Sequence, residues 1–419
     1  MEHNAYICID LKSFFASVEC VDRGLDPFKV NLVVSDVSRG SGAITLAITP
    51  AMKALGIKNR CRIFEIPKHV EYIAAKPRMK RYMQVSSDIY GIYLRYISPE
   101  DIHVYSIDEC FIDVSRYLHT YDRTPKEIAV MLMEAVFEQT GICATAGVGT
   151  NMFLAKLALD ITAKHAPDNI GELDGDSFRR EIWHHRPITD IWSIGRGTAK
   201  RLARYGVYDL YGVSQMDEKL LYREFGKNAK YLIDHSHGIE TCTIRDIQSY
   251  QKKSASLSHG QILFEDYNFE DALIIVKEMV DVLTLEMVQK HLVGSSIALG
   301  VHYSKEVVPP TGGSRKIGEY TNSYKTLSAL FEKLYRETTC KNAPIRKVNV
   351  CIGDIEDDSF TTINLFVSSE EVMRERRLQE TVLSIKNKYG KNAILKGMNY
   401  FERSTARARN QMVGGHNGE

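Results

Sequence analysis

The chain has 419 residues, 44% hydrophobic and 26% charged, which is ordinary for a soluble globular protein and too long for one core, so roughly two to four domains are expected. Its 54 basic and 53 acidic residues leave a formal net charge of +1, so overall charge names no partner and any nucleic-acid footprint has to be local. The apolar run from Ala5 to Ile9 is far too short for a secretory h-region, and no later segment has the uncharged length of a membrane helix. Eight scattered cysteines, without C-x-x-C or zinc spacing, read as reduced core thiols of a cytoplasmic protein.

In chain order, "AYICID" (5–10) is a short strand ending in an acid, and "FFASVECV" has helical periodicity. Strands follow over 30–36 and 42–48. A helix opens at Thr49 with Pro50 at its first position and stops at Gly56. A long amphipathic stretch covers 76–96, residues 104–114 are strand-like, and a helix spans 125–139. "CATAGVG" is a strand, Asn151 caps a helix over 151–164, and "PDNIGELDGDS" (167–178) reads as a linker. Residues 179–240 are helical and locally basic. From about 250 to 353 the order is β-α-β-β-α-β, that of a small ferredoxin-like module. After the acidic break "DIEDDSF", residues 372–419 carry ten Lys/Arg against four acids and end in "QMVGGHNGE", expected to be mobile. This alternation argues for an α/β or α+β core, and the whole chain is expected to be an α+β multidomain protein.

"YSIDECFIDVS" (105–115) places Asp108 and Glu109 side by side within an otherwise apolar stretch. On a continuous strand they would point to opposite faces. Either one is simply solvated, or the chain turns at the pair and both carboxylates face Asp10 on a neighbouring strand. In the second case the three acids would supply the hard oxygen ligands that a Mg²⁺-type ion prefers. Two such ions roughly 4 Å apart can stabilise an in-line phosphoryl displacement.

"ICIDLKSFFASVE" together with "YSIDECFIDVS" about a hundred residues later resembles the paired acidic motifs of Y-family translesion DNA polymerases, most like the UmuC-like branch of Gram-positive bacteria. "ATAGVGTNMFLAKLALDITAK" and "DIWSIGRGTAKRLARYGV" match the family's next motif and its thumb. The resemblance implies a right-hand architecture: palm over 1–13 and 80–170, fingers over 14–79, thumb with a helix-hairpin-helix over 171–242, little finger over 250–355, and a docking peptide and basic tail over 356–419. It implies error-prone, DNA-templated synthesis past damaged bases in damage tolerance. Asp10, Asp108, Glu109 and the Leu11 carbonyl would hold two Mg²⁺ ions, with Mn²⁺ as a substitute. Phe15 would be a steric gate against ribonucleotides, with Phe14 beside it, and Lys53, Arg60 and Lys156 would meet the triphosphate. Pro50 stands where many members have a phosphate-binding tyrosine, and Lys53 where arginine is common, so Arg60 or Arg62 would compensate.

"SIGRGTAKRL" suits a phosphate-gripping hairpin. Gly195 and Gly197 would permit a tight turn around Arg196, a helix would begin at Thr198, and Lys200 and Arg201 would follow it. Such contacts position duplex DNA without reading its sequence. "TTINLF" resembles a sliding-clamp docking peptide running Thr362, Ile363, Asn364, Leu365 and Phe366, although Thr362 replaces the usual glutamine. The expected partners are primer-template DNA, deoxynucleoside triphosphates and a sliding clamp, with the chain a monomer and no membrane. Two rival readings remain at this level: a non-catalytic DNA-binding relative, and another two-metal phosphoryl enzyme such as a nuclease.

Overall fold

A computed structural model describes residues 4–251, 256–304, 308–360 and 369–418. The chain forms two compact units, Met1–Tyr250 and Gln251–Gly418. In the first, the strands are β1 (Tyr6–Leu11), β2 (Leu32–Val34), β3 (Ala47–Ile48), β4 (Ile73–Ala75), β5 (Ile102–Val104), β6 (Glu109–Asp113), β7 (Ala144–Gly149) and β8 (Ile170–Leu173). Five form a sheet in the order β5-β6-β1-β7-β8, and three a small sheet in the order β3-β2-β4.

Central β1 is buried on both faces. Ile7, Ile9 and Leu11 point into a core built with the helices Phe14–Val21, Met79–Tyr93 and Pro125–Thr140. The alternate residues Tyr6 and Cys8 meet Phe111, Met152, Ala155 and Leu159 on the other side. The helix Pro125–Thr140 has clear local causes: a Thr124/Glu127 capping box starts it, and Gly141, at φ 68°, ends it.

Three sequence expectations are corrected here. The segment 167–178 is no linker, because Ile170–Leu173 pairs in parallel with β7 and buries Ile170 and Leu173. The five-stranded sheet therefore runs past residue 170. The strand expected over 42–48 shrinks to Ala47–Ile48, since Ile44 instead bridges Arg62. The helix after Asn151 is α-helical only over Met152–Leu157 and widens to π geometry over Ala158–Thr162. Asn151 does cap it, accepting from the Leu154 amide at 2.8 Å.

A helical subdomain covers roughly 178–249 around Phe178, Ile182, Leu202, Leu221 and Leu232. Its basic helix begins at Arg196, not Thr198. Gly195 sits extended at the cap, Gly197 is inside the helix, and the left-handed residue of the turn is Ser193, at φ 72°.

The second unit follows the expected order: β9 (Leu257–Tyr267), helix Phe269–Gln289, β10 (Leu292–Tyr303), β11 (Thr311–Thr321), helix Tyr324–Thr338 and β12 (Ile345–Asp357). Its antiparallel sheet runs β11-β10-β12-β9 with both helices over one hydrophobic core. The tail is ordered, against expectation. After the helix Ser369–Tyr389 it ends in a hairpin of β13 (Met412–Val413) and β14 (His416–Asn417). The anchor is Glu278, 1% exposed, whose carboxylate accepts from Asn399 Nδ2 at 3.1 Å, the Thr405 amide at 3.2 Å and Ser404 Oγ. Composition hid this, because the tail docks through polar partners of one buried acid. Residues 362–366 lie outside the described residues.

Candidate active site

Asp10 lies directly opposite Glu109 in the antiparallel β1–β6 pairing. The turn occupies 105–108 rather than the acid pair itself: Tyr105 and Ser106 amides both donate to the Glu109 carbonyl at 3.0 Å. Asp108 is thus the last turn residue and Glu109 the first of the strand. The Leu11 amide donates to the Asp108 carbonyl at 2.9 Å, which fixes the turn against β1. Ser106 Oγ donates to the Asp108 carboxylate at 2.8 Å. Glu109 thus faces Asp10 across the strand pair, and Asp108, in the turn beside it, is close enough to act on Asp10 electrostatically.

The electrostatics follow from this crowding. Burial and then repulsion from Asp108 and Glu109 push the Asp10 carboxyl up to about 7, with Lys156 opposing. Lys156, 7% exposed, pairs with Glu109 at 2.7 Å and with Asp160 at 3.1 Å. Burial pulls its ammonium down, but the hydrogen bond to Glu109 and the charge of Asp160 outweigh that and hold it above the lysine range. Cys8 lies two residues before Asp10 on the same face and donates its thiol to Glu109 at 3.2 Å. Burial foremost raises the thiol's pKa.

Among the described residues no three His, Cys, Asp or Glu side chains converge on one point; Glu109 is turned to Lys156 and Asp108 to Ser106. The donor set still fits a divalent cation. Its oxygens are hard, and Asp10 holds its proton to about pH 7 because burial, and then the negative charge of Asp108 and Glu109, disfavours its ionised form. A Mg²⁺-type ion completes its shell with water and substrate phosphate rather than with a closed protein cage.

The impB/mucB/samB family matches residues 9–160, and its C-terminal domain matches 254–365. The UvrX protein of Bacillus subtilis, described as a UV-damage repair protein, is 31% identical over 98% of this chain and 97% of its own. The chain belongs to this family, the Y-family translesion DNA polymerases. DNA polymerase IV 2 of Halalkalibacterium halodurans is 30% identical over 97% of this polymerase and 98% of its own length. The solved Y-family DNA polymerase chimera Dbh-Dpo4(243-245)-Dbh has the same fold, with a TM-score of 0.64 at 22% identity, covering 86% of this chain and all of its own. The family acts on DNA and nucleotides and depends on divalent metal.

The polymerase brings some predicted residues to this centre and leaves others away from it. Phe14 is a core residue, 2% exposed, whereas Phe15 is partly exposed and stacks on Tyr82 at 4.5 Å. Tyr82 is itself fixed, donating to Glu19 at 2.7 Å. Lys53 is close enough to feel Asp10: loss of solvation lowers its pKa, and Asp10 opposes the shift. Arg60 is exposed at φ 59°, and Arg62 donates to the Gly42 carbonyl at 2.6 Å. In the basic helix, Arg196 and Lys200 are exposed and Thr198 is half-buried. Arg201 turns inward instead, donating to the Glu224 carbonyl at 2.8 Å with its guanidinium 4.3 Å from the Phe225 ring. Sequence reasoning missed Cys8, Tyr82 and Asp160. Cys8 was findable from its two-residue spacing to Asp10 and Asp160 from its four-residue spacing to Lys156. Tyr82, 67 residues beyond Phe15, had no local signal. Among the described residues no helix is long and apolar enough to cross a membrane.

Proposed function

We propose that this polymerase extends a DNA primer at Asp10, Asp108 and Glu109 by two-metal nucleotidyl transfer. The observation that carries the reading is the β1–β6 register, which sets Asp10 opposite Glu109 and Asp108 beside it. Two Mg²⁺ ions, replaceable by Mn²⁺, would be held by these carboxylates and the Leu11 carbonyl, and would supply activation of the primer 3′-hydroxyl and charge neutralisation on the triphosphate. Lys156 keeps Glu109 oriented and can lend its charge to phosphate when Glu109 engages metal. Lys53, near enough to feel Asp10, would add a second point charge, with exposed Arg60 a further candidate for the triphosphate. Phe15, backed by Tyr82, closes the site against a ribose 2′-hydroxyl. The Gly195–Gly197 segment, with Arg196, Thr198 and Lys200, grips the backbone of the duplex; Arg201 supports that helix from within. Residues 362–366 are proposed to dock a sliding clamp, and the enzyme to act as a cytoplasmic monomer.

The test is primer extension with all four deoxynucleotides and Mg²⁺, on undamaged and abasic templates, beside an Asp108→Ala/Glu109→Ala variant. Extension by the wild type alone, with DNA binding equal in both, supports the reading. Equal DNA binding without synthesis in either, even with clamp supplied, overturns it in favour of a DNA-binding role.

A further inference from the structure

The catalytic turn has a contact that the chemistry above does not use. Tyr105 opens the 105–108 turn, and its hydroxyl accepts a hydrogen bond from the Trp192 indole at 3.1 Å. The two rings meet edge-on at 6.0 Å, and both pack on Phe111 of β6, at 5.7 and 5.8 Å. Trp192 lies three residues before the Gly195 cap of the basic helix, with left-handed Ser193 and buried Ile194 between them. On its other side it stacks near His235 at 6.4 Å, and His235 lies 4.0 Å from Phe153, three residues before Lys156. The Lys156 ammonium is in turn 6.0 Å from the Tyr105 ring. One tryptophan thus touches the turn that carries Asp108 and, through His235, the helix that carries Lys156, while its own backbone leads into the basic helix.

We propose that Trp192 is a positioning residue which, through Tyr105, sets the catalytic turn when the basic helix engages DNA. This role rests on the polymerase reading and belongs to residues outside the metal and nucleotide contacts proposed above. An aromatic hydrogen-bonded pair suits this task because it has few rotatable bonds and a fixed donor direction. A small displacement of a carboxylate is costly to rate even when binding is untouched.

The test uses the full chain with Tyr105→Phe, Trp192→Phe and the double variant. Each single change should slow single-turnover incorporation about 10-fold, with primer-template affinity and thermal midpoint near wild type. The double should be no slower than the slower single, as expected when two groups act as one unit. Additive losses, or weakened DNA binding at unchanged rate, would overturn the proposal. A second readout needs no catalysis. The chain has two tryptophans, so a Trp183→Phe background leaves Trp192 as the sole reporter. Primer-template should shift its emission, and Tyr105→Phe should remove most of the shift while anisotropy still shows DNA bound. No shift with Tyr105 intact rejects the coupling. A wild type that shifts but never extends a primer would remove the polymerase reading and leave the coupling standing.

Discussion

At the scale of single residues, the centre is defined by negative charge brought together at a cost. The Asp10 carboxyl stands at about 7 against an ordinary 3.8, so the folded chain holds that proton more tightly than the unfolded chain does. The sign follows: the penalty is fully present above about pH 7 and is relieved as pH falls toward 3.8. Asp10→Asn should therefore raise the metal-free melting temperature by several degrees at pH 8, and by progressively less as the buffer is made more acid, while abolishing synthesis. Calorimetry across pH would read the trend, and a gain that grows toward acid pH would contradict it. Phe15 gives the second expectation at this scale. Because Tyr82 holds its ring from behind, Phe15→Ala should open space without disturbing the acids. Ribonucleotide incorporation should rise about 10- to 100-fold relative to deoxynucleotide, measured by single-nucleotide insertion.

At the scale of elements, Glu278 is the informative case. It lies on the helix Phe269–Gln289 and holds Asn399, Ser404 and Thr405 of the tail. Glu278→Ala would leave several buried donors without an acceptor, so the second unit should lose about 2–4 kcal/mol, read by urea unfolding. Glu278→Gln, which keeps an acceptor oxygen, should lose less. The tail also shows where sequence legibility stopped. β9 to β12 and their helices were readable because each carries a long run of one periodicity, and a hydrophobic core followed from it. β8 is four residues long and is decided by its pairing with β7, and β13 and β14 are two residues each, too short to show a periodicity. The same limit applies at the centre. That Asp10, Asp108 and Glu109 are candidate partners was legible from residue type, whereas the turn at 105–108 and the inward Arg201 depended on tertiary contacts.

At the scale of the whole molecule, the three acids and Lys156 belong to the first unit, and the second has a separate hydrophobic core. Residues 251–419 made alone should consequently unfold in one cooperative transition. A broad, gradual loss of circular dichroism would show that this core is insufficient without the rest of the chain.

The helix that carries Lys156 rests on bare backbone. A Cβ at Gly147 would strike Ala155 and Leu159, one at Gly149 would strike Ala155, and one at Gly171 would strike Ala158. Every missense change at a glycine codon adds that atom, so none of these codons has a mild neighbour in the genetic code. In a saturation library selected for damage tolerance, all three positions should keep glycine alone, while Gly175 and Gly397, where an added Cβ meets nothing within 4 Å, drift freely. An enzyme of a family that copies past damage would thus carry, in its own gene, a few sites at which no change is tolerated.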